Sequence, residues 1–172
     1  MSSVVEVNVG GLVYDEKTKS HVVILREAKG SRVLPIWIGP AEASAIALEI
    51  AGKKFQRPLT HDLMAAIVKG LKAKVSKIII SDLRDNTFYA NIVLEREKDN
   101  EIVNVDARPS DSIALALRTE SPIYLSETLL ETGKDISVLT KEHREKSEEE
   151  RAEELRKFLE DLNPEDFGKF NP

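Results

Sequence analysis

The residues best suited to chemistry stand where a predicted strand meets a predicted helix. The strand pattern Ile102–Ala107 carries Asp106, Arg108 follows it, and Pro109 opens an apolar helix with Asp111 in its first turn. Exposed junctions of this kind commonly carry functional side chains. Two carboxylates beside a helix start are able to bind a divalent cation, which would activate water for phosphodiester hydrolysis. We therefore predict Asp106 and Asp111 as catalytic residues and metal ligands.

A second acidic residue repeats this arrangement earlier in the chain. Glu42 follows Pro40 at the offset at which Asp111 follows Pro109, and an alanine-rich helix pattern continues from each proline. We therefore predict Glu42 as a further metal ligand. The structural alternative is that both acids cap their helices, since a carboxylate in the first turn accepts a free N–H and meets the positive end of the helix dipole.

A third group of polar residues lies at the start of another predicted helix. Arg57 precedes the pair His61 and Asp62. Histidine there would act as a general base or a metal ligand, and we predict His61 and Asp62 as catalytic and Arg57 and Arg108 as phosphate-binding. The alternatives remain that His61 caps the helix or lies on the surface, and that Asp106 forms an ion pair with either arginine.

Charge is unevenly distributed along the chain. The net charge is −5, but residues 140–172 hold 11 acidic and 7 basic residues, whereas residues 52–77 hold seven lysines and arginines against one acid. A basic stretch attracts phosphate locally. We therefore predict Lys53 and Lys54 as substrate-binding residues, with a solvated helix face as the alternative.

Composition and missing motifs exclude several classes of protein. The absence of cysteine excludes disulfides and thiolate chemistry and is typical of a reducing cytoplasm. No phosphate-binding glycine loop, dinucleotide-binding fingerprint, nucleophile elbow or zinc-protease motif is present. No apolar run approaches the length of about 20 residues that spans a bilayer, so no membrane partner is expected. Abundant glutamate and lysine favour a heat-adapted, thermophile source.

The pattern of elements predicts an α+β fold with an antiparallel or mixed sheet of hairpins and interspersed helix pairs. Hairpin patterns alternate with helical ones, and the strand–proline–acid–helix arrangement suggests a possible internal repeat. We predict strands over 21–27, 32–38, 73–82, 87–97, 102–107 and 123–125, after a first strand that includes Val5, Val7 and Val9, and helices from Pro40, over 57–70, 109–119 and 126–132. We expect a domain over residues 1–139, followed by a charged helical or mobile tail over 140–172.

Several segments together resemble the bifunctional nuclease domain family. The resemblance covers roughly residues 4–135 and rests on motifs that occur in the family's order: Leu34-Pro-Ile-Trp-Ile-Gly39, Arg57-Pro-Leu-Thr-His-Asp-Leu63, Thr87-Phe-Tyr-Ala90 and Val105-Asp-Ala-Arg-Pro-Ser-Asp-Ser-Ile-Ala-Leu-Ala-Leu-Arg118. It implies a compact α+β domain, a homodimer, and nuclease activity on both DNA and RNA. It supplies no catalytic residues.

The leading hypothesis is therefore a nuclease that hydrolyses phosphodiester bonds with a magnesium or manganese ion. In this hypothesis His61 positions or deprotonates water. The alternative is a non-catalytic nucleic-acid or protein-binding regulatory module whose acidic tail docks a protein partner. A small-molecule phosphate enzyme or sensor is a third possibility.

Overall fold

The computed structural model describes residues 3–132, 134–135 and residue 153, and confirms an α+β fold with one open, mixed sheet. The predicted domain boundary at residue 139 lies outside the described residues. So does the predicted tail, apart from residue 153. Within them, no helix is long and apolar enough to cross a membrane. The strands are β1 (Val4–Asp15), β2 (Ser20–Glu27), β3 (Arg32–Ile38), β4 (Ala73–Arg84), β5 (Thr87–Arg96), β6 (Ile102–Ala107), β7 (Ile123–Ser126) and β8 (Lys134–Asp135); the helices are α1 (Pro40–Ile50), α2 (Thr60–Gly70), α3 (Pro109–Thr119) and α4 (Glu127–Thr132).

The strands of the sheet follow the order β6-β5-β4-β7-β1-β2-β3-β8. Every neighbouring pair is antiparallel except β4 and β7, which run parallel. The short strand β7 therefore joins two antiparallel groups, β4–β6 and β1–β3, into one sheet. This central position brings the helix that precedes it, α3, to the middle of the domain.

The core lies between the sheet and α3. Ile78 on β4 and Ile92 on β5 are opposite each other in the ladder, and both are buried. Ile113 and Leu115 on α3 belong to the same buried cluster. Contacts with α1 on one flank and α2 on the other complete the helical layer. Because α3 is enclosed by other elements, residues in its first turn are held in fixed positions.

Helices α1 and α3 begin as the sequence predicts. Pro40 and Pro109 occupy the first position of α1 and α3, where a missing N–H costs nothing. Helix α2 begins at Thr60, at the end of the predicted start segment 57–60, and its N-cap residue is Leu59 rather than the Thr60 that residue type favours. The Leu59 N–H donates to the Asp62 carboxylate at 2.9 Å, so the capping acid is Asp62.

Candidate functional site

Three helix starts meet around one carboxylate. Asp111, in the first turn of α3, accepts a hydrogen bond from His61 in the first turn of α2, with 2.9 Å between Asp111 Oδ1 and His61 Nε2. Its other oxygen, Oδ2, accepts from Arg108 Nε at 2.8 Å. Arg108 is the N-cap residue of α3. Asp111 therefore links the starts of two helices through both of its oxygens.

Arg108 extends this arrangement to the third helix. Its Nη1 atom lies 2.8 Å from Oε1 of Glu42, in the first turn of α1. The Arg108 side chain is 55% exposed, whereas those of Glu42 and Asp111 are 13% and 25% exposed. We call Glu42, His61, Arg108 and Asp111 the helix-start cluster. Its guanidinium group is the member most accessible to a ligand.

The environment of Asp111 keeps it ionised. The hydrogen bond from His61 lowers the pKa of Asp111 below its usual value, and Arg108 lowers it further, against the opposing effect of burial. An ionised carboxylate only accepts hydrogen bonds, so Nε2 of His61 carries the proton of this bond. In the neutral ring the lone pair is then on Nδ1, which is the arrangement that a general base requires.

A second layer of ion pairs lies deeper between the same helices. Arg118 on α3 donates from Nε to Asp62 Oδ1 at 2.6 Å, and lies 4.0 Å from Oε2 of Glu49 on α1. It also donates to the backbone carbonyls of Ala45 and Ala114. Only 5% of its side chain is exposed. Arg118 therefore ties all three helices together beneath the helix-start cluster.

Asp62 takes part in this second layer. The Leu59 N–H is the main cause of its lowered pKa, and Arg118 adds to the effect. Its side chain faces Arg118, while its neighbour His61 faces Asp111. This divergence agrees with the angle of about 100° between adjacent helical residues.

Sequence reasoning missed Arg118 and Glu49. Each lies seven residues after a predicted site residue, Asp111 and Glu42 respectively. Residues seven apart are two turns along the same helix face. This spacing was the available signal, and it places Glu49 and Arg118 one layer below Glu42 and Asp111.

Asp106 lies apart from the helix-start cluster. It is exposed on β6, directly opposite Asn91 of β5. Val105 and Ala107 are on the other face of β6, opposite Ile92 and Ala90, which are buried in the core. Among the described residues, Asp106 has no ion pair with Arg57 or Arg108. Its predicted catalytic role remains a prediction.

The predicted basic residues flank the cluster on the segment that leads into α2. Lys53, Lys54 and Arg57 are all exposed. Lys54 pairs with Glu49 at 3.1 Å. Arg57 precedes His61 by four residues in the sequence.

The residues proposed as metal ligands do not fit a preformed metal site. Both oxygens of Asp111 are engaged by His61 and Arg108, and Glu42 is engaged by Arg108. In the part of the chain that the structure describes, no group of three acidic or histidine side chains is arranged to hold an ion. The space between Glu42 and Asp111 is filled by a guanidinium cation.

The range that holds the sheet and the helix-start cluster matches a known family of domains. The model of the bifunctional nuclease domain matches residues 23–137, a range that includes the whole cluster and Arg118. The chain belongs to the bifunctional nuclease domain family. The family resemblance described from sequence motifs is thereby confirmed.

Two kinds of relative differ in how closely they match. An uncharacterized protein of Mycobacterium tuberculosis (strain H37Rv) is 41% identical over 164 residues, which cover 94% of this chain and 97% of the relative. Bifunctional nuclease 1 of Oryza sativa subsp. indica is 21% identical over 111 residues, which cover 63% of this chain and 34% of the rice protein. A bifunctional nuclease of Oryza minuta matches to the same extent.

Proposed function

We propose that this protein is a nuclease that hydrolyses phosphodiester bonds in DNA and RNA, and that the helix-start cluster is its active site. The observation that carries the proposal is the bond between His61 and the ionised Asp111 beside an exposed arginine. Family membership and the names of the rice relatives support the same class of reaction. Three helix starts around the cluster favour a bound phosphate, since the helix dipole places a partial positive charge at each.

His61 is the proposed general base. With Nε2 held by Asp111, the neutral ring accepts a proton from the attacking water at Nδ1. Asp111 fixes the tautomer and stabilises the imidazolium that forms. The His61 side chain is 10% exposed, so the attacking water has to reach Nδ1 through this small exposed part of the ring.

Arg108 is the proposed phosphate-binding residue. Its guanidinium group is planar and carries several donors, which suits the oxygens of a phosphodiester. Because the side chain is 55% exposed, it is able to turn from Glu42 towards a substrate. Arg57, Lys53 and Lys54 extend positive charge along the segment before α2 and are proposed to guide the strand.

A metal-assisted route is the other form of the proposal. In it Asp106, Asp111 and Glu42 would hold magnesium or manganese, as predicted from the sequence, the ion would activate water, and Asp62 would assist. The present arrangement does not fit this route, because Asp106 lies apart from Asp111 and Glu42. This route requires Arg108 to release both carboxylates first. The two routes differ in which residues are essential, so the same experiment distinguishes them.

The test is cleavage of labelled single-stranded DNA and RNA by the highly purified full chain, with magnesium, manganese or EDTA. We expect His61→Gln and Asp111→Asn to lose about 10²–10⁴-fold in rate, the range for loss of general-base catalysis. Arg108→Met should lose a similar factor. Asp106→Asn is the matched control, because it makes the same chemical change as Asp111→Asn outside the cluster, and it should cut at the wild-type rate.

Other outcomes have defined meanings. Loss of cutting by Asp106→Asn together with inhibition by EDTA would support the metal-assisted route. Equal cutting by all variants would indicate a contaminant or another site. No cutting by the folded wild-type protein would refute the nuclease.

A non-catalytic binding module is the second candidate function. The observation that favours it is that each carboxylate of the cluster already has a cationic or histidine partner, as a purely structural network would. Binding to nucleic acid that weakens steeply with salt, without turnover, would support it. A protein partner for the tail and a cytoplasmic location are further proposals, which rest on the acidic composition of residues 140–172 and on the absence of cysteine.

A further inference from the structure

One flank of α2 exposes a continuous row of large aliphatic side chains. Leu59, Leu63, Ile67 and Leu71 recur every four residues and are 37–71% exposed. His61 and Asp62, which contact α3, lie on another side of the helix. The exposed row therefore faces away from α3 and, among the described residues, has no element packed over it.

The nearest edge of the sheet is also apolar and unpaired. Strand β6 is the last strand on this side, and among the described residues it pairs only with β5. Ile102, Val103 and Val105 are 52%, 40% and 40% exposed. An exposed edge strand without proline or lysine leaves its outward backbone groups ready to pair with another strand.

The row on α2 and the strand β6 belong to one surface. At one end, His61 of α2 bonds to Asp111, which lies just after β6. At the other end, the Glu97 N–H donates to the Lys72 carbonyl at 2.8 Å, joining the end of α2 to the turn before β6. Helix α2 therefore runs antiparallel to β6 along the same edge. Val103 and Val105 lie on the face of β6 that carries the helices, whereas Ile102 lies on the opposite face with Asp106. We call six residues the apolar edge: Leu59, Leu63, Ile67, Leu71, Val103 and Val105.

The ladder shows which backbone groups of β6 face outward. The Arg96 N–H donates to the Glu101 carbonyl at 3.0 Å, which makes this a hydrogen-bonded pair. Such pairs alternate along an antiparallel ladder, so Val103 and Val105 bond to β5. The backbone N–H and C=O groups of Ile102, Asn104 and Asp106 are then directed to the free edge.

We propose that a second copy of this chain covers the apolar edge, with the two β6 strands paired antiparallel about Asn104. This register places outward-facing residues opposite one another, as hydrogen bonding requires. Asp106 then lies opposite Ile102 of the other copy, and Val103 lies opposite Val105. No carboxylate meets a carboxylate, and a two-fold axis makes the same patch serve both copies.

The size of the apolar edge agrees with this occupant. Its exposed aliphatic surface is on the order of 500 Å², at the upper end of the largest patch that a monomer usually leaves open. A stable interface buries about 800 Å² on each partner. The outward backbone of β6 and the polar residues around the patch supply the difference. This proposal does not rest on nuclease activity.

The test is the molar mass of the full chain, measured by sedimentation equilibrium over a range of concentrations. We expect wild type at twice the 19.2 kDa mass of the chain. Asn104→Pro removes one outward N–H without removing a bond to β5, and should weaken the dimer about 100-fold or more. Asn104→Ala keeps that N–H and should remain dimeric.

A second pair of variants examines the helix. Leu63→Lys with Ile67→Lys should give a monomer, whereas Val4→Lys, at a 42% exposed residue on β1, should stay dimeric. Far-ultraviolet circular dichroism verifies that each variant is folded. A wild-type monomer at all concentrations would overturn the proposal, as would a dimer that persists in both Asn104→Pro and the double lysine variant. If the wild type is a monomer and Leu159→Glu, a substitution in the tail, lowers its free energy of unfolding, the apolar edge would instead be assigned to the tail.

Discussion

The same substitution should have different effects at two arginines of α3 and its N-cap, Arg118 and Arg108. Arg118 is buried beneath the helix-start cluster and Arg108 is exposed within it, with side chains 5% and 55% exposed. Replacing each by methionine keeps an unbranched apolar chain and removes the guanidinium group. We predict that Arg118→Met mainly destabilises the fold, and that Arg108→Met mainly impairs cleavage.

The magnitudes follow from the partners that each change leaves behind. Arg118→Met removes the hydrogen bonds to Asp62, Ala114 and Ala45, and leaves two carboxylates without their arginine. Breaking a buried ion pair costs about 3–5 kcal/mol. The Asp62 side chain is 34% exposed and regains water, so we expect about 3 kcal/mol, at the lower end of that range. Arg108→Met should cost less, about 1–2 kcal/mol, because Arg108 is 55% exposed, although Glu42 and Asp111, which are 13% and 25% exposed, lose one partner each.

The assay is urea unfolding followed by the fluorescence of Trp37, the single tryptophan of the chain. The slope of the free energy against urea should be unchanged, so that midpoint shifts report stability. Arg118→Lys, which keeps the charge but loses the planar fork, should lie between wild type and Arg118→Met. Equal stability losses in Arg118→Met and Arg108→Met would refute the assignment of Arg118 as the residue that holds the helices together.

Two further predictions concern other carboxylates. The pKa values of Asp62 and Asp111 are lowered in the fold, so each stabilises it above the unfolded pKa of about 3.9, and this stability is lost as pH falls through the folded pKa. We expect the unfolding free energy to decrease below about pH 5, and to decrease less in the variant Asp62→Asn/Asp111→Asn; equal pH dependence would contradict this. Asp15→Ala removes acceptors for Trp37 Nε1 at 2.9 Å and Thr18 Oγ1 at 2.7 Å, and should cost about 2–3 kcal/mol in the urea assay. An unchanged midpoint would show that this buried carboxylate does not stabilise the first hairpin.

The elements were predictable from the sequence because local signals coincide with them. Pro109 and the apolar spacing after it mark α3, and alternation marks the β4–β5 hairpin. The order of the strands was not predictable in this way. The parallel pairing of Ile78 with Ile123 joins residues 45 apart in the chain, and no local pattern in either strand specifies its neighbour.

The site was predictable only in part. Glu42, His61, Arg108 and Asp111 were each singled out by residue type and position at a helix start, and the structure brings them together. Their convergence depends on how α1 and α2 pack on the two flanks of α3, which is a tertiary property. Asp106 shows the opposite case. It is close to Asp111 in the sequence, but the alternation of side chains along β6 directs it to the other face of the sheet.

The charges of the helix-start cluster explain how it would accept an anion despite its two acids. With His61 neutral, Glu42, Asp111 and Arg108 sum to a single negative charge. Each of the three helix starts contributes about half a positive charge, which offsets that negative charge. When a phosphate draws Arg108 outward, Glu42 still interacts with the positive end of α1, and Asp111 still accepts the hydrogen bond from His61. Neither carboxylate therefore becomes unpaired. The same bond from His61 that lowers the pKa of Asp111 therefore makes Arg108 available to a substrate.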